Sequence, residues 1–82
     1  MATTRDSIRD WLNQAKDKGA THLIVATDTF DYGDYPVFVM PHQVVADELS
    51  RLRKQDMTRV MECYNLSLPW DEQLSERRAF HL

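Results

Sequence analysis

Two β-rich runs, Thr21–Thr29 and Tyr35–Met40, stand on either side of Phe30-Asp31-Tyr32-Gly33-Asp34. Asp and Gly are turn formers, Asp because its carboxylate bonds the nearby backbone and Gly because its φ is unrestricted. Two such runs joined across so short a turn predict an antiparallel hairpin. Leu23, Ile24 and Val25 are consecutive and apolar, so the first strand needs cover on both faces. A hairpin alone is marginal in water, so the remaining chain must supply a further strand and the helices that cover the sheet. Pro36 lacks a ladder N–H and belongs at a strand start or on a free edge.

The flanking segments supply those elements. Ile8, Trp11, Leu12 and Ala15 recur at i, i+3, i+4 and i+7, predicting an amphipathic helix over residues 4–18. Thr3 or Thr4 can cap it, Asp6 suits its positive end, and Gly19 is a natural terminator after Lys16 and Lys18. Pro41 opens a second helix over 42–54, with Val45, Leu49 and Leu52 as its stripe, Val44 beside them, and Asp47 and Arg51 spaced to pair. Met57–Leu66 reads two ways. Val60, Met61, Cys63 and Tyr64 fit a helical stripe, whereas Thr58, Val60, Glu62, Tyr64 and Leu66 alternate with their neighbours. The β-preferring Thr, Val, Cys and Tyr, and the need for a third strand, favour a strand. Ser67 is expected to cap a last helix carrying Trp70 and Leu74, with Phe80 and Leu82 tucking the tail against the body. The expected fold is α+β, one domain over 1–82 in the order α-β-β-α-β-α: a three-stranded mixed sheet with helices packed against it.

Composition narrows the function. A net charge of −3 argues against a DNA or RNA partner, which would select a basic face. No apolar run approaches the roughly 18 residues of a membrane span. The opening Met1-Ala2-Thr3-Thr4-Arg5-Asp6 has no apolar signal core, so a cytoplasmic setting is expected. Cys63 is the lone cysteine and has no internal disulfide partner. A chain of 82 residues buries a core only marginally, and a homodimer would help it.

The chemically dense segment is Thr27–Tyr35. It holds three carboxylates, two phenols and two threonine hydroxyls. Such a corner can accept hydrogen bonds, stack a planar ring or hold a hard cation, but it does not match the calcium loop. The plainer reading is that Asp and Gly build the hairpin turn while the tyrosines cover the sheet edge. Arg51-Leu52-Arg53-Lys54 and Arg77-Arg78 can clamp phosphate through the guanidinium fork, or simply face solvent. Trp11 and Trp70 sit on apolar stripes and are expected in the core. His22, His42 and His81 form no HxxxH, HxH or Cys-His pair, so no metal is expected. Cys63 lies in no nucleophile signature and reads as a small buried group. No glycine-rich phosphate loop, GxSxG, HExxH or CxxC occurs, so neither an enzyme nor a cofactor is expected.

"ATHLIVATDTFDYGDYPVFVMP" (residues 20–41) and "ERRAFHL" (residues 76–82), with "RDSIRDWLNQAKDKGATHLIV" and "RVMECYNLS", resemble small proteins of tailed phages and prophages. The resemblance spans most of the chain. It implies a small cytoplasmic protein that acts by binding in a counter-defence role, either blocking a host protein or sequestering a signalling nucleotide. It carries over no catalytic residue. Three hypotheses follow. The first is a non-enzymatic binder of a small polar or nucleotide-like ligand at the hairpin corner. Asp28, Thr29, Asp31, Tyr32, Asp34 and Tyr35 would contact it, a tyrosine stacking the base, while Arg77, Arg78 or His81 meets any phosphate. The second is a protein-binding module that inhibits a host factor through the acidic hairpin. The third is a small hydrolase pairing Asp28 with His22 or His42.

Overall fold

The computed structural model describes residues 3–82 and has the expected element order. Helix α1 (Arg5–Lys18) is followed by strands β1 (His22–Asp28) and β2 (Gly33–Val39), helix α2 (Val45–Lys54), strand β3 (Thr58–Asn65) and helix α3 (Trp70–Leu74). The sheet order is β2-β1-β3. Met57–Leu66 is thus a strand, as its alternation and composition favour.

The expected mixed sheet is antiparallel in its strand ladders. β1 runs antiparallel to both neighbours, and parallel pairing among the described residues is the single Cys63–Phe80 bridge. β2 and β3 lie parallel to each other on opposite sides of β1, joined through α2. Pro36 sits on the edge strand β2, where its missing N–H is tolerated.

Leu23-Ile24-Val25 fixes the layering. Leu23 and Val25 pack with Ile8 and Leu12 of α1, Tyr64, Leu74 of α3 and Ala79. Ile24 faces the other way, onto Val39, Leu49, Leu52 and Cys63. The helices therefore cover both faces, α1 and α3 on one and α2 on the other. Trp11 and Trp70 are half-buried against the first cluster. Cys63 is fully buried, as expected of a structural thiol, and burial pushes its thiol up to about 11, against a weaker opposing effect from the His81 carbonyl it bonds.

The helix ends follow local chemistry. Thr4 Oγ1 accepts from Ser7 N at 3.1 Å, and Gly19 at φ 79° closes α1, with its own N–H and that of Ala20 returning to Lys16 O and Ala15 O. Three starts move by two residues or more. β2 begins at Gly33 rather than Tyr35 because Asp28 pairs with Gly33, leaving a four-residue loop. α2 starts at Val45 rather than 42: Gln43 Oε1 and N bond back to Met40 N and O, each at about 2.8–2.9 Å, and hold Pro41 and His42 in a turn. α3 starts after Pro69 rather than Ser67 because Asn65 Oδ1 accepts from both Ser67 N and Ser67 Oγ, so that Ser67 caps nothing. The tail is anchored by Ala79, which is fully buried, not by Phe80 and Leu82, which are largely exposed. Cys63 N donates to Ala79 O and His81 N to Cys63 O, both at 2.9 Å. Arg51 pairs with Glu48 at 2.8 Å rather than with Asp47.

Candidate functional site

Three surfaces carry chemistry: the tip of the hairpin, a cleft on the α1 face beside it, and a cavity at the opposite end of β1.

At the tip the turn is built by its aspartates. Asp28 Oδ1 accepts from Phe30 N and Asp31 Oδ1 from Gly33 N, both at 2.8 Å. Tyr32 N donates to Asp28 O at 2.7 Å, and Tyr32 takes φ 58°, a left-handed conformation uncommon outside Gly, Asn and Asp. The turn thereby pushes Phe30 and Tyr32 into water, 79% and 74% exposed. The loop before β3 joins them: Thr29 N donates to Met57 O at 2.9 Å, and Met57, also at positive φ (59°), is 51% exposed. Asp28 and Asp31 therefore perform the plainer role of building the turn while each keeps a second oxygen free. Asp28, Asp31 and Asp56 make no ion pair among the described residues, nor does Arg59, opposite Thr27.

The cleft, of about 420 Å³, lies between the start of α1, the open side of the sheet and the segment after α3. Asp34, Arg77 and Arg78 line it together with Thr3, Thr4, Arg5, Met61 and Glu62. Of the nine residues expected to form a ligand site, these three meet. Asp34 is held by a hydrogen bond from Thr27 Oγ1. Tyr35 falls on the face of β2 shared with Val37, the α2 side, because strand side chains alternate. His81 is tied to Glu76 at 2.7 Å. Asp28, Thr29, Asp31 and Tyr32 stay at the tip, outside this lining.

Beneath the cleft is a polar node that sequence reading did not find. Arg5 donates to Glu62 Oε1 and Tyr64 Oη, both at 3.1 Å, and to the carbonyls of Glu76 (2.7 Å) and Arg77 (3.1 Å). Tyr64 Oη donates to Glu62 Oε1 at 2.8 Å. The Glu62 hydrogen bond raises the Arg5 guanidinium further, while burial, and then the Glu62 carboxylate, hold the Tyr64 phenol above its usual range. A bulge lies beside the node. Val25 pairs with Glu62 and Ala26 with Val60, so Met61 is the extra residue, and both Met61 and Glu62 reach the α1 face. One sequence signal existed: Glu62 interrupts the otherwise apolar run Val60–Tyr64.

The third cavity, about 690 Å³, is lined by Lys16, Thr21, His22, Asn65, Leu66 and Trp70 among others. Its polar atoms are mostly spent inside the chain. Trp70 Nε1 donates to Leu66 O, and Asn65 Oδ1 serves Ser67. Thr21 Oγ1 lies 2.9 Å from His22 Nδ1 and 3.3 Å from Val39 O, within hydrogen-bond reach of both. His22 Nε2 is buried and has no hydrogen-bond partner among the described residues. Gln73, another residue sequence reading passed over, is buried and staples the adjoining turn by donating to the carbonyls of Asn65, Leu68 and Pro69 and accepting from Asn65 N.

Asp28 and His22 occupy opposite ends of β1, about 20 Å apart at the strand rise of ~3.3 Å per residue. His42 follows the end of β2 that pairs with His22, so neither histidine comes within reach of Asp28. Among the described residues no group of three His, Cys, Asp or Glu side chains is placed to hold a metal ion, and no helix is long and apolar enough to cross a membrane. No family model, curated protein or solved structure matches the chain.

Proposed function

We propose that this is a non-enzymatic binding protein that docks onto a basic surface of a partner protein through the hairpin tip. One observation carries the reading: Phe30 and Tyr32 stand 79% and 74% exposed on a turn tied down by its own aspartates. Large rings held in water on a stiffened loop expose apolar area that folding does not use. Tyrosine in particular is a frequent anchor of interfaces, surrounded there by a polar rim. The free oxygens of Asp28 and Asp31, with Asp56, supply an acidic rim, so the complementary surface is basic around an apolar pocket. Neither ring lines the 690 Å³ or the 420 Å³ cavity, which favours a protein surface over a small ligand at this corner. In the phage setting that the resemblance implies, the partner is a host protein.

The test places a photo-crosslinking residue at position 32 and, as a control, at Asn13 on the exposed face of α1. The expected result is a discrete adduct from position 32 alone. The purified adduct partner should then bind the unmodified protein with an on-rate that falls as salt rises, and Tyr32→Ser should weaken it at least tenfold. Equal labelling from both positions would refute the proposal. So would self-association in sedimentation that Tyr32→Ser abolishes, because the occupant would then be a second copy of the chain.

A further inference from the structure

We propose that the cleft between the start of α1 and the segment Glu76–Arg78 is a second, independent site, which takes a small phosphomonoester that also carries O–H or N–H donors. Arg77 and Arg78 line this cleft and have no acidic partner among the described residues. The other charges there are committed. Arg5 and Glu62 neutralise each other at 3.1 Å, and Asp34 has one oxygen bonded by Thr27 Oγ1. What remains is two free guanidinia, each able to meet phosphate oxygens in a bidentate fork, facing one carboxylate with a free oxygen. A bare anion satisfies only the guanidinia. A phosphomonoester whose sugar or base presents donors satisfies both.

The site is held before any ligand arrives. Arg5 grips the carbonyls of Glu76 and Arg77 at 2.7 and 3.1 Å. Ala79 is fully buried, and the Cys63–Phe80 bridge fixes the backbone beyond it. The two arginines thus spring from a clamped segment although their side chains reach into water, and a rigid backbone lowers the ordering cost of capture. A volume of about 420 Å³ lies within the usual range of small-molecule sites. The positive end of α1 adds a favourable field at the same mouth.

Amide NMR titration of the full chain with ribose 5-phosphate, AMP, adenosine and inorganic phosphate tests the proposal. The expected result is saturating shifts for the two phosphomonoesters at the amides of Thr4–Asp6 and Glu76–Ala79. Their affinity should be at least tenfold above that of adenosine, and at least tenfold weaker in the double variant Arg77→Ala, Arg78→Ala. Asp34→Asn should weaken the phosphomonoesters several-fold without weakening inorganic phosphate. Lys54→Ala, a cation outside the cleft, and Tyr32→Ser at the tip should leave the titration unchanged. Adenosine binding as tightly as AMP would overturn the proposal, as would shifts that persist in the double arginine variant or the absence of saturation with every probe. Inorganic phosphate matching both esters, with no effect of Asp34→Asn, would overturn the assignment to a donor-bearing ester.

Discussion

Arg5→Met tests whether the polar node closes this fold. Arg5 makes hydrogen bonds to Glu62, Tyr64, Glu76 and Arg77, joining the start of α1 to β3 and to the C-terminal segment. Two limits bracket the cost. An exposed ion pair contributes about 0–1 kcal/mol. Removing one partner from a buried pair costs about 3–5 kcal/mol because the other charge is stranded. The Arg5 side chain is 44% exposed and that of Glu62 only 12%. Glu62 would keep the Tyr64 hydroxyl and the Ala79 amide, and methionine retains most of the apolar stem. A loss of about 2 kcal/mol is expected, near the middle of the bracket, equivalent to a fall in Tm of about 8–16 °C for a domain of this size. Urea unfolding at neutral pH, followed by circular dichroism, should show a lower midpoint with an unchanged slope. Arg9→Met is the control: its pair with Asp71 is exposed on both sides, and a change within about 0.5 kcal/mol is expected. Equal small losses for Arg5→Met and Arg9→Met would refute the reasoning, since the node would then be an ordinary surface pair.

Three further outcomes are expected. Cys63 titrates at about 11 because it is buried, above an unfolded thiol near 8.5. The folded state thus holds this proton more tightly, so the thiol's contribution is complete below the unfolded value and is lost as pH rises through the folded one. Urea midpoints should fall between roughly pH 8.5 and 11, more steeply than in Cys63→Ala. Gly19→Ala meets no atom within 4 Å of its new Cβ, yet it must hold φ 79°, so a loss of about 1–2 kcal/mol from backbone strain alone should appear in the same assay. Tyr32→Gly relieves a positive φ and removes an exposed ring, so stability should stay level or rise by up to about 1 kcal/mol while docking is lost. A loss above about 1 kcal/mol would mean that the ring packs within the chain.

Local chemistry made much of the fold legible. Thr4, Gly19, the α1 stripe and the doubly covered Leu23–Val25 run each obey a rule read over a few residues, and each holds in the structure. Two misses arise where a near neighbour takes a residue for another task. Ser67 looks like a cap until Asn65 claims it. His42 looks helical until Gln43 folds back onto Met40. The dense corner shows the same division. Composition marked the segment, but only the strand alternation sends Asp34 and Tyr35 to opposite faces, and only the long-range clamp on Glu76 and Arg77 brings the two arginines to Asp34. The bulge itself was hidden: it parts Val60 from Glu62 and Tyr64, which plain alternation puts on one face, and a single sequence does not display a bulge.

The two proposed surfaces thus differ in what sustains them. The tip is built by hydrogen bonds spanning two to four residues, together with one backbone bond to Met57, and local structure of that kind persists while the hairpin does. The cleft exists because a chain without a disulfide draws its first helix, its last strand and its tail onto one carboxylate. The extra residue Met61 puts a second consecutive β3 side chain on the same face, beside that carboxylate. Weakening the node at Arg5 should therefore loosen the Glu76–Arg78 wall well before it disturbs Tyr32. Hydrogen exchange in Arg5→Met should rise at the Cys63 and His81 amides, which hold the tail, and stay unchanged at the Tyr32 and Gly33 amides of the turn. A uniform rise across both sets would show that the domain opens only as one unit, and that tip and cleft share their stability.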